Sequence, residues 1–369
     1  MKGLFIIIDG MPDRNCTEHP EEYFGMYENL RLLKESGSEG FFLTHPQGHP
    51  VESLSCISTL LGAAPDDIPK GRAYIESLAE DIPLSRDDLV LRCNIVRTAD
   101  GILESSCCEE LSEEQMASFS GIMNGFCGSI RMHHMSSYKN IIVMEDLGGE
   151  FSSLHTYPPH EHIGEPADTL LPHGGKSGEL LRAFCEESTR RIRPDGQHSY
   201  MLLPWGQAVY SPMPSFYGLH GLSAGIVCGT EIVKGLAKAM DMEISVPPGA
   251  TADTDTDLSA KADAALGLLR RKDIVILHIN GADEASHRLS ITQKHEFLQR
   301  TDRELIGYIM KNMDDDTSVL VCSDHASNPV TGRHEPGGQP YILYSRKKSS
   351  AQPVRTAGGR DAVSMLMAY

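Results

Sequence analysis

The stretch 274-IVILHINGADEASH-287 joins a short apolar run to acidic residues and a histidine. Its first four residues are β-branched or leucine, a composition typical of a strand buried in a parallel sheet. Residues 4–8 and 319–321 form runs of the same character. The sequence therefore predicts at least three buried parallel strands.

Helical patterns follow some of the apolar runs. Residues 225–228 form a fourth candidate strand, and a helical pattern covers residues 231–240 directly after it. A second helical pattern spans residues 257–271. Strands that alternate with helices predict an α/β fold with a mostly parallel sheet flanked by helices.

The middle of the chain has a different pattern. Between residues 81 and 207 we expect shorter strands, and residues 145–166 resemble a loop because Gly, Pro and His interrupt them. We interpret residues 81–207 as an inserted smaller α/β domain. The remaining residues, 1–80 and 208–369, then form one discontinuous catalytic domain.

Composition limits the classes of function. A chain of 369 residues with 40% hydrophobic content can fold into two domains. Its formal net charge of −18 argues against general nucleic-acid binding, which needs clustered Lys and Arg. Nine scattered cysteines without a C-x-x-C pair favour reduced thiols, and no apolar stretch is long enough to span a membrane. We expect a cytoplasmic protein that binds neither nucleic acid nor membrane.

An acidic residue follows each of the three buried runs: Asp9, Asp283 and Asp324. Ligands of open parallel sheets bind at the carboxyl ends of the strands, so these carboxylates are expected to converge. Two histidines accompany them, because His287 lies one helical turn after Asp283 and His325 directly follows Asp324. These positions predict a polar site at one edge of the sheet.

Carboxylate and imidazole groups together suit divalent Mn or Zn. With His334 from the loop 331-TGRHEPGG-338, the ligand count is sufficient for two ions. Two ions about 3.5–4 Å apart are a common device for phosphoryl transfer. The predicted ligands are Asp9, Asp283, His287, Asp324, His325 and His334.

A nucleophile for that chemistry is expected in 51-VESLSCISTLLG-62. Ser53 or Ser55 would stand at the start of a helical pattern, where free N–H groups and the helix dipole favour an alkoxide and a bound phosphate. A serine at this place is also a common helix cap, so the residue type alone does not decide its role.

The other histidines have simpler interpretations. His278 lies inside an apolar run and is expected to be a satisfied core residue. His133, His134, His160 and His162 are interpreted as loop residues outside the metal site.

Several motifs together resemble a known family, the archaeal-type 2,3-bisphosphoglycerate-independent phosphoglycerate mutases of the alkaline phosphatase superfamily. The resemblance covers nearly the whole chain and is strongest in about its last 150 residues. The motifs are 5-FIIIDGMPDR-14, 58-STLLG-62 with 71-GR-72, 91-LRCN-94, 158-PPHEHIGEP-166, 229-GTEIVKGLAKAMDMEISVPPGATADTDTDLSAKADAAL-266, 276-ILHINGADEASH-287 and 322-CSDHASNPVTGRH-334.

The resemblance implies an alkaline-phosphatase-like core with two divalent ions, commonly manganese, with Zn or Mg as alternatives. A serine would carry the phosphoryl group between two substrate hydroxyls. One ion would be held by Asp283, His287 and His334, and the other by Asp9, Asp324, His325 and the nucleophile. The family pattern places that nucleophile at Ser53, with Ser55 as the fallback.

The presumed substrate region departs from the family. Arginine-containing segments of the family appear here as 104-ESSCCEELSEE-114, 145-EDLGGE-150 and 204-PWGQ-207, and Leu54 and Ile57 replace polar family residues. The polar anchors that remain are Arg72, which we assign to catalysis, and Arg92, Asn94 and Lys139, which we assign to substrate binding.

Three functional hypotheses follow for a protein acting on a small phosphorylated metabolite. The first is a glycolytic mutase that converts 3-phosphoglycerate to 2-phosphoglycerate through phosphoserine. The second is a phosphohydrolase or a homoserine-kinase-like phosphotransferase acting on another metabolite, which the missing arginines favour. The third is a non-catalytic metal-binding relative. The sequence does not indicate an oligomeric state.

Overall fold

A computed structural model describes residues 2–13, 24–108, 110–192, 198–347 and 355–369. The chain forms two compact units. Unit 1 consists of residues 1–68 and 212–369, and unit 2 consists of residues 69–211. The helix Arg72–Ala79 joins unit 2 because it packs against two strands of the unit 2 sheet.

The strands in chain order are β1 Lys2–Ile8, β2 Ser38–Leu43, β3 Leu89–Ala99, β4 Ile102–Ser105, β5 Ile130–Ser136, β6 Lys139–Met144, β7 Ser199–Val209, β8 Ala224–Val227, β9 Glu243–Ser245, β10 Ile274–Ile279, β11 Thr317–Cys322, β12 Ala326–Asn328, β13 Arg333–Glu335, β14 Gly338–Ser345 and β15 Arg355–Gly358.

The helices in chain order are α1 Glu28–Ser36, α2 Ser53–Leu60, α3 Arg72–Ala79, α4 Glu113–Met123, α5 Gly175–Arg191, α6 Phe216–His220, α7 Glu231–Ala239, α8 Leu258–Leu269, α9 Gly281–His287, α10 Ile291–Arg300, α11 Gly307–Asn312 and α12 Ala362–Ala368. A π-helical segment, Thr301–Ile306, connects α10 to α11.

Unit 1 contains an eight-stranded sheet in the order β15-β2-β14-β11-β1-β10-β8-β9. The strands β11, β1, β10, β8 and β9 are parallel neighbours, whereas β14 is antiparallel to both β11 and β2. The four apolar runs form β1, β8, β10 and β11, and their side chains pack into a core with the flanking helices. The predicted α/β fold with a mostly parallel, helix-flanked sheet is confirmed.

The register of the central strands positions the acidic residues. Ile8 pairs with Ile279, and Ile7 pairs with Cys322, so β1, β10 and β11 end at nearly the same level. Asp9 directly follows β1, Asp324 lies two residues after the end of β11, and the short helix α9 begins just after β10. The ends of these parallel strands therefore meet at one edge of the sheet, where open α/β sheets bind ligands.

Unit 2 is built on an antiparallel sheet in the order β4-β3-β6-β5, with β7 paired to β3. One sheet face packs with α4 and α5 around residues such as Leu91, Cys93, Phe119 and Phe184. The expectation of shorter strands here is wrong, because β3 and β7 have 11 residues each. Arg92 and Asn94 interrupt the apolar residues of β3, and Pro204 and Gly206 interrupt β7, so neither strand appears in the sequence as one long apolar run.

Two further expectations concern single residue types. His133 and His134 lie in β5 and not in a loop, whereas His160 lies in a short 3-10 turn. The cysteines of the described ranges are free thiols, while Cys16 lies outside those ranges. Within the part of the chain that the structure describes, no helix has the length and apolar character needed to cross a membrane.

Candidate metal centre and substrate residues

Asp9 is the first residue after β1, and its side chain is fully buried. Ser53 Oγ donates a hydrogen bond to Asp9 Oδ2 at 3.2 Å, and His278 Nε2 lies 3.0 Å from the same oxygen. The other carboxylate oxygen, Oδ1, lies 3.5 Å from His325 Nε2. Asp9 is thus surrounded by groups from three distant parts of the chain.

Asp324 and His325 lie just after the end of β11 and are also fully buried. Asp324 Oδ2 lies 3.3 Å from His325 Nε2, and the backbone N–H of Gly10 donates to Asp324 Oδ1 at 3.4 Å. Thr44 Oγ1 donates to the Asp324 carbonyl oxygen at 2.6 Å, which fixes the backbone at this turn. The pair therefore faces Asp9 from the neighbouring strand.

Asp283 lies in the first turn of α9, and His287 follows one turn later on the same side. Asp283 Oδ2 is 3.3 Å from His287 Nε2, and Asp283 Oδ1 is 3.3 Å from His334 Nε2. The two Nε2 atoms lie 3.1 Å apart. One carboxylate and two imidazoles therefore converge, and His287 is the exposed member.

Backbone carbonyls fix the tautomer of both imidazoles. His287 Nδ1 lies 2.9 Å from the Gly332 carbonyl oxygen, and His334 Nδ1 lies 2.9 Å from that of Val51. Because a carbonyl oxygen only accepts, each Nδ1 carries the hydrogen. In the neutral rings, both Nε2 lone pairs then face each other beside the carboxylate of Asp283. This is how metal-binding histidines are held in proteins.

Ser327 connects the two parts of the cluster. Its Oγ donates to Asp283 Oδ1 and lies 3.3 Å from His325 Nδ1. Gly10 makes room for this contact, because its φ is +64° and a Cβ there would lie 2.7 Å from Ser327 Oγ. A side chain at position 10 would therefore strain the backbone and displace the connecting hydroxyl.

Ser53 and Ser55 have different surroundings. Ser53 begins α2, and besides its bond to Asp9 its Oγ lies 3.3 Å from His325 Nε2. Ser55 Oγ instead donates to the carbonyl oxygens of Pro50 and Glu52 at 2.6 and 3.1 Å. Only the Ser53 hydroxyl, of these two, belongs to the carboxylate and imidazole cluster.

The pKa values of Asp9 and Asp283 are shifted in opposite directions. Burial, with the nearby charges of Asp324 and Asp283, raises the pKa of Asp9 well above its ordinary value. Burial also acts to raise the pKa of Asp283, but its contacts with His287 and His334, whose Nε2 atoms donate to it when the rings are protonated, lower that pKa well below the usual range. Carboxylates that repel one another in a buried site are stabilised in ionised form by bound cations.

The donor set fits divalent metal ions. Among the described residues, the buried oxygens Asp9 Oδ1 and Asp324 Oδ2 have no hydrogen-bond partner, although buried polar atoms normally have one. Two groups have ligand atoms within 4.8 Å of one another: Asp9, Asp324 and His325, and Asp283, His325 and His334. Oxygen and imidazole donors of this kind suit Mn or Zn.

The predicted ligands are thus brought together in unit 1. The grouping differs in one respect from the prediction, since His325 Nε2 is close enough to serve with Asp283 and His334 as well as with Asp9 and Asp324. His287 remains within 3.3 Å of Asp283. The geometry therefore links the two predicted ligand sets through His325.

A second polar cluster lies in unit 2, around the buried carboxylate of Glu76. Arg92 Nε lies 3.0 Å from Glu76 Oε2, and Arg72 Nε lies 3.7 Å from Glu76 Oε1. The Arg92 guanidinium stacks over the Trp205 ring with its carbon 4.3 Å from the ring centroid. Trp205 Nε1 donates to Asn94 Oδ1 at 2.8 Å. Three of the predicted anchors therefore share one network.

The fourth predicted anchor, Lys139, pairs with Asn94 in the antiparallel register of β3 and β6. Directly opposed residues of such a pair project from the same sheet face, so Lys139 and Asn94 share a face. His160 also contacts the network, with its ring 5.4 Å from that of Trp205. Burial lowers the pKa of His160, which favours a neutral ring beside the two arginines.

Four residues of these clusters were not predicted: His278, Ser327, Glu76 and Trp205. His278 was expected to be a satisfied core residue. It is buried, but its Nδ1 has no hydrogen-bond partner among the described residues and its Nε2 contacts Asp9. A polar residue inside an otherwise apolar run was the available signal for His278.

The chain is similar to known proteins of one kind. A family model described as 2,3-bisphosphoglycerate-independent phosphoglycerate mutase matches residues 35–195. The resemblance predicted from the sequence is therefore confirmed. It extends well beyond the matched segment, because curated relatives align along almost the whole chain.

One such relative is the 2,3-bisphosphoglycerate-independent phosphoglycerate mutase of Methanosarcina acetivorans, which is 27% identical over 93% of this chain and 90% of its own length. The enzyme of the same name from Thermococcus kodakarensis is 26% identical over 93% of this chain and 88% of its own length.

Two solved structures share the fold. A protein from Pyrococcus horikoshii superposes with a TM-score of 0.78 at 24% identity, covering 100% of this chain and 96% of its own. The cofactor-independent phosphoglycerate mutase of Thermoplasma acidophilum gives a TM-score of 0.61 at 18% identity, covering 100% and 99%.

Proposed function

We propose that this chain is a metal-dependent phosphoryl-transfer enzyme that converts 3-phosphoglycerate to 2-phosphoglycerate through a phosphoserine at Ser53. The observation that carries the proposal is the position of the Ser53 hydroxyl, 3.2 Å from Asp9 and 3.3 Å from His325. The names of the relatives from Methanosarcina and Thermococcus support the choice of reaction.

Two divalent ions, with manganese as the first choice, would be held by the two linked ligand sets. Asp9, Asp324, His325 and Ser53 would hold one, and Asp283, His287 and His334 the other. When bound, such ions neutralise charge on the phosphoryl oxygens and lower the pKa of a coordinated hydroxyl.

The chain's own groups have separate tasks in the transfer. Ser53 Oγ would form the bond to phosphorus as the bond from phosphorus to the substrate oxygen breaks, and its hydrogen already points to Asp9 Oδ2. As the first residue of α2, Ser53 is followed by backbone N–H groups without helical partners, which favour a bound phosphoryl group. In the second half of the reaction the other substrate hydroxyl would displace Ser53 Oγ.

The unit 2 cluster supports a second candidate function, phosphoryl transfer or hydrolysis with a less anionic metabolite. Glu76 contacts both Arg72 and Arg92, and Trp205 covers one face of the Arg92 guanidinium. Two arginines that share one buried carboxylate present less net positive charge to a substrate than two unopposed arginines. Arg72, Arg92, Asn94 and Lys139 remain predicted substrate residues in either case.

Turnover of 3-phosphoglycerate by the manganese-loaded protein tests the first function. We expect 2-phosphoglycerate to form, Ser53→Ala to abolish its formation, and Ser55→Ala to retain it. No turnover of this substrate, but hydrolysis of a generic phosphate ester that requires Ser53, would select the second function. Bound metal without phosphoryl transfer to any substrate would select the non-catalytic relative.

A further inference from the structure

His278 occupies an unusual place for an ionisable side chain. It lies in the central strand β10, between β1 and β8, and only 1% of its surface is exposed. The neighbouring residues of β10 belong to the apolar core. Burying an imidazole there costs free energy unless its polar atoms find partners.

One ring nitrogen of His278 does have a partner, and that partner is Asp9. His278 pairs with Ile7 across β10 and β1, which brings its ring to the end of β1. Its Nε2 lies 3.0 Å from Asp9 Oδ2. A ring nitrogen at this distance from a carboxylate oxygen donates its hydrogen, because the ionised carboxylate only accepts.

This contact determines which oxygen of Asp9 is available. Oδ2 accepts from His278 and from Ser53, whereas Oδ1 has no hydrogen-bond partner among the described residues and faces His325. A donor held rigidly in a strand on one carboxylate oxygen restricts rotation about the Cβ–Cγ bond. The other oxygen then stays directed at the ligand group of Asp324 and His325.

Asp283 provides an internal comparison. Its Oδ1 accepts a hydrogen bond from Ser327 Oγ, which also contacts His325, and His278 is not among the hydrogen-bond partners described for Asp283. Each of the two carboxylates therefore has its own orienting donor. Outer partners of this kind typically change metal affinity about 10- to 100-fold when they are removed.

We propose that His278 is a positioning residue that orients Asp9 for the metal ion held with Asp324 and His325, and that the ion held by Asp283, His287 and His334 does not depend on it. The proposal rests on the metal-dependent function proposed above. It adds that substitution of His278 lowers the affinity for one ion and leaves the affinity for the other unchanged.

Metal counting tests this without any use of turnover. We would titrate metal-free protein with Mn²⁺ and follow free Mn²⁺ by electron paramagnetic resonance, comparing wild type with His278→Gln and His278→Asn. The glutamine amide can reach the place of Nε2, whereas the asparagine amide ends near the place of Nδ1. The two variants thus have the same chemistry and differ in reach.

We expect the wild type and His278→Gln each to bind two Mn²⁺ ions per chain. At each site, the affinity of His278→Gln should be within a few-fold of the wild-type affinity. His278→Asn should bind one ion normally and the second about 10-fold or more weakly. His295→Phe is the matched control, because His295 also faces a carboxylate, that of Asp13 at 3.5 Å, outside the ligand sets. It should bind both ions as the wild type does.

Several results would overturn the proposal. Equal, wild-type binding of both ions by His278→Asn would show that the contact does not orient Asp9. An equal loss of Mn²⁺ affinity at both sites would show a general structural role for His278. Thermal unfolding of the metal-free variants shows whether each variant is folded. If His278→Asn does not fold, His278→Phe replaces it as the test, because phenylalanine fills the core without a hydrogen-bond donor. That variant must then bind only one of the two ions with wild-type affinity. A wild type that binds no Mn²⁺ would remove this proposal and the proposed function together, whereas two bound ions without phosphoryl transfer would remove only the proposed function.

Discussion

The two polar clusters of this protein differ in how their charges are balanced. In unit 1, three buried carboxylates meet imidazoles, and two carboxylate oxygens have no hydrogen-bond partner among the described residues. In unit 2, the buried carboxylate of Glu76 is matched by Arg72 and Arg92. The unit 1 cluster therefore carries unbalanced negative charge, which is the basis for the proposed cations, whereas the unit 2 carboxylate faces arginines of the chain itself.

If the proposed function holds, we expect unit 1 to carry out the chemistry and unit 2 to recognise the substrate. A cluster that needs external positive charge should lose activity and metal together when a ligand is changed. A cluster balanced by its own arginines should affect the binding of substrate and leave the metal content unchanged. The following predictions test whether the two clusters behave in these different ways.

The largest effect is expected from changes to the unit 1 carboxylates. Asp283→Asn and Asp324→Asn keep the side-chain size but remove the charge that attracts a cation. Each should lower the rate of phosphoryl transfer by about 1,000-fold or more, since the lost stabilisation is several kcal/mol. Steady-state kinetics and metal analysis of the same samples measure both consequences. Asp253→Asn is the control, because Asp253 pairs with Arg288 on the surface. Unchanged transfer with intact metal content in either ligand variant would refute the assignment.

Metal binding should also stabilise unit 1. Mn²⁺ at about 100 times its dissociation constant should add about 2.7 kcal/mol per site to the free energy of unfolding. Thermal unfolding with and without a chelator measures this gain. Asp9→Asn should reduce it, whereas Glu76→Gln in unit 2 should not. A midpoint that does not respond to Mn²⁺ in the wild type would contradict a cation-completed cluster.

The unit 2 cluster should act on substrate binding. Arg92→Lys keeps the charge but loses both the planar contact with Trp205 and the fork geometry that binds carboxylate or phosphate. We expect KM to rise about 10-fold with little change in kcat or metal content, the pattern of a lost uniform binding contact. Arg131→Lys, at a residue paired with Glu145, is the matched control. A fall in kcat with no change in KM would assign Arg92 to the chemical step instead.

The smallest effect is expected from a helix cap that belongs to neither cluster. Ser112 caps α4 in unit 2 through a reciprocal capping box with Gln115. Ser112→Ala should cost about 1 kcal/mol of stability, measured by denaturant unfolding. The gain in stability from Mn²⁺ should remain as in the wild type. A reduced Mn²⁺ response in this variant would show that the stability of unit 2 and the metal site are not independent.

The sequence was sufficient for the parts of the fold that depend on continuous apolar runs. Parallel strands such as β1, β10 and β11 end together, so the residues that follow them, Asp9 and Asp324 among them, could be expected at one edge. The spacing of Asp283 and His287 fits one helical turn, and α9 provides that turn.

The contacts that were missed depend on pairings between distant strands. Arg92 meets Trp205 only because β3 and β7 pair in one particular antiparallel register, which neither strand specifies alone. The contact between His278 and Asp9 likewise needs the register of β10 and β1. Local sequence patterns predict the helices and strands, but the register between paired strands determines which side chains are in contact.

Mass spectrometry of Ser53 tests the central claim most directly. The manganese-loaded protein would be mixed with 3-phosphoglycerate, quenched in acid within one turnover, and digested so that Ser53 and Ser55 are distinguished by fragmentation. We predict a phosphoryl group on Ser53 that is absent from metal-free protein and from the Asp324→Asn variant. Turnover without any phosphoryl group at Ser53, or a phosphoryl group on Ser55 instead, would contradict the account.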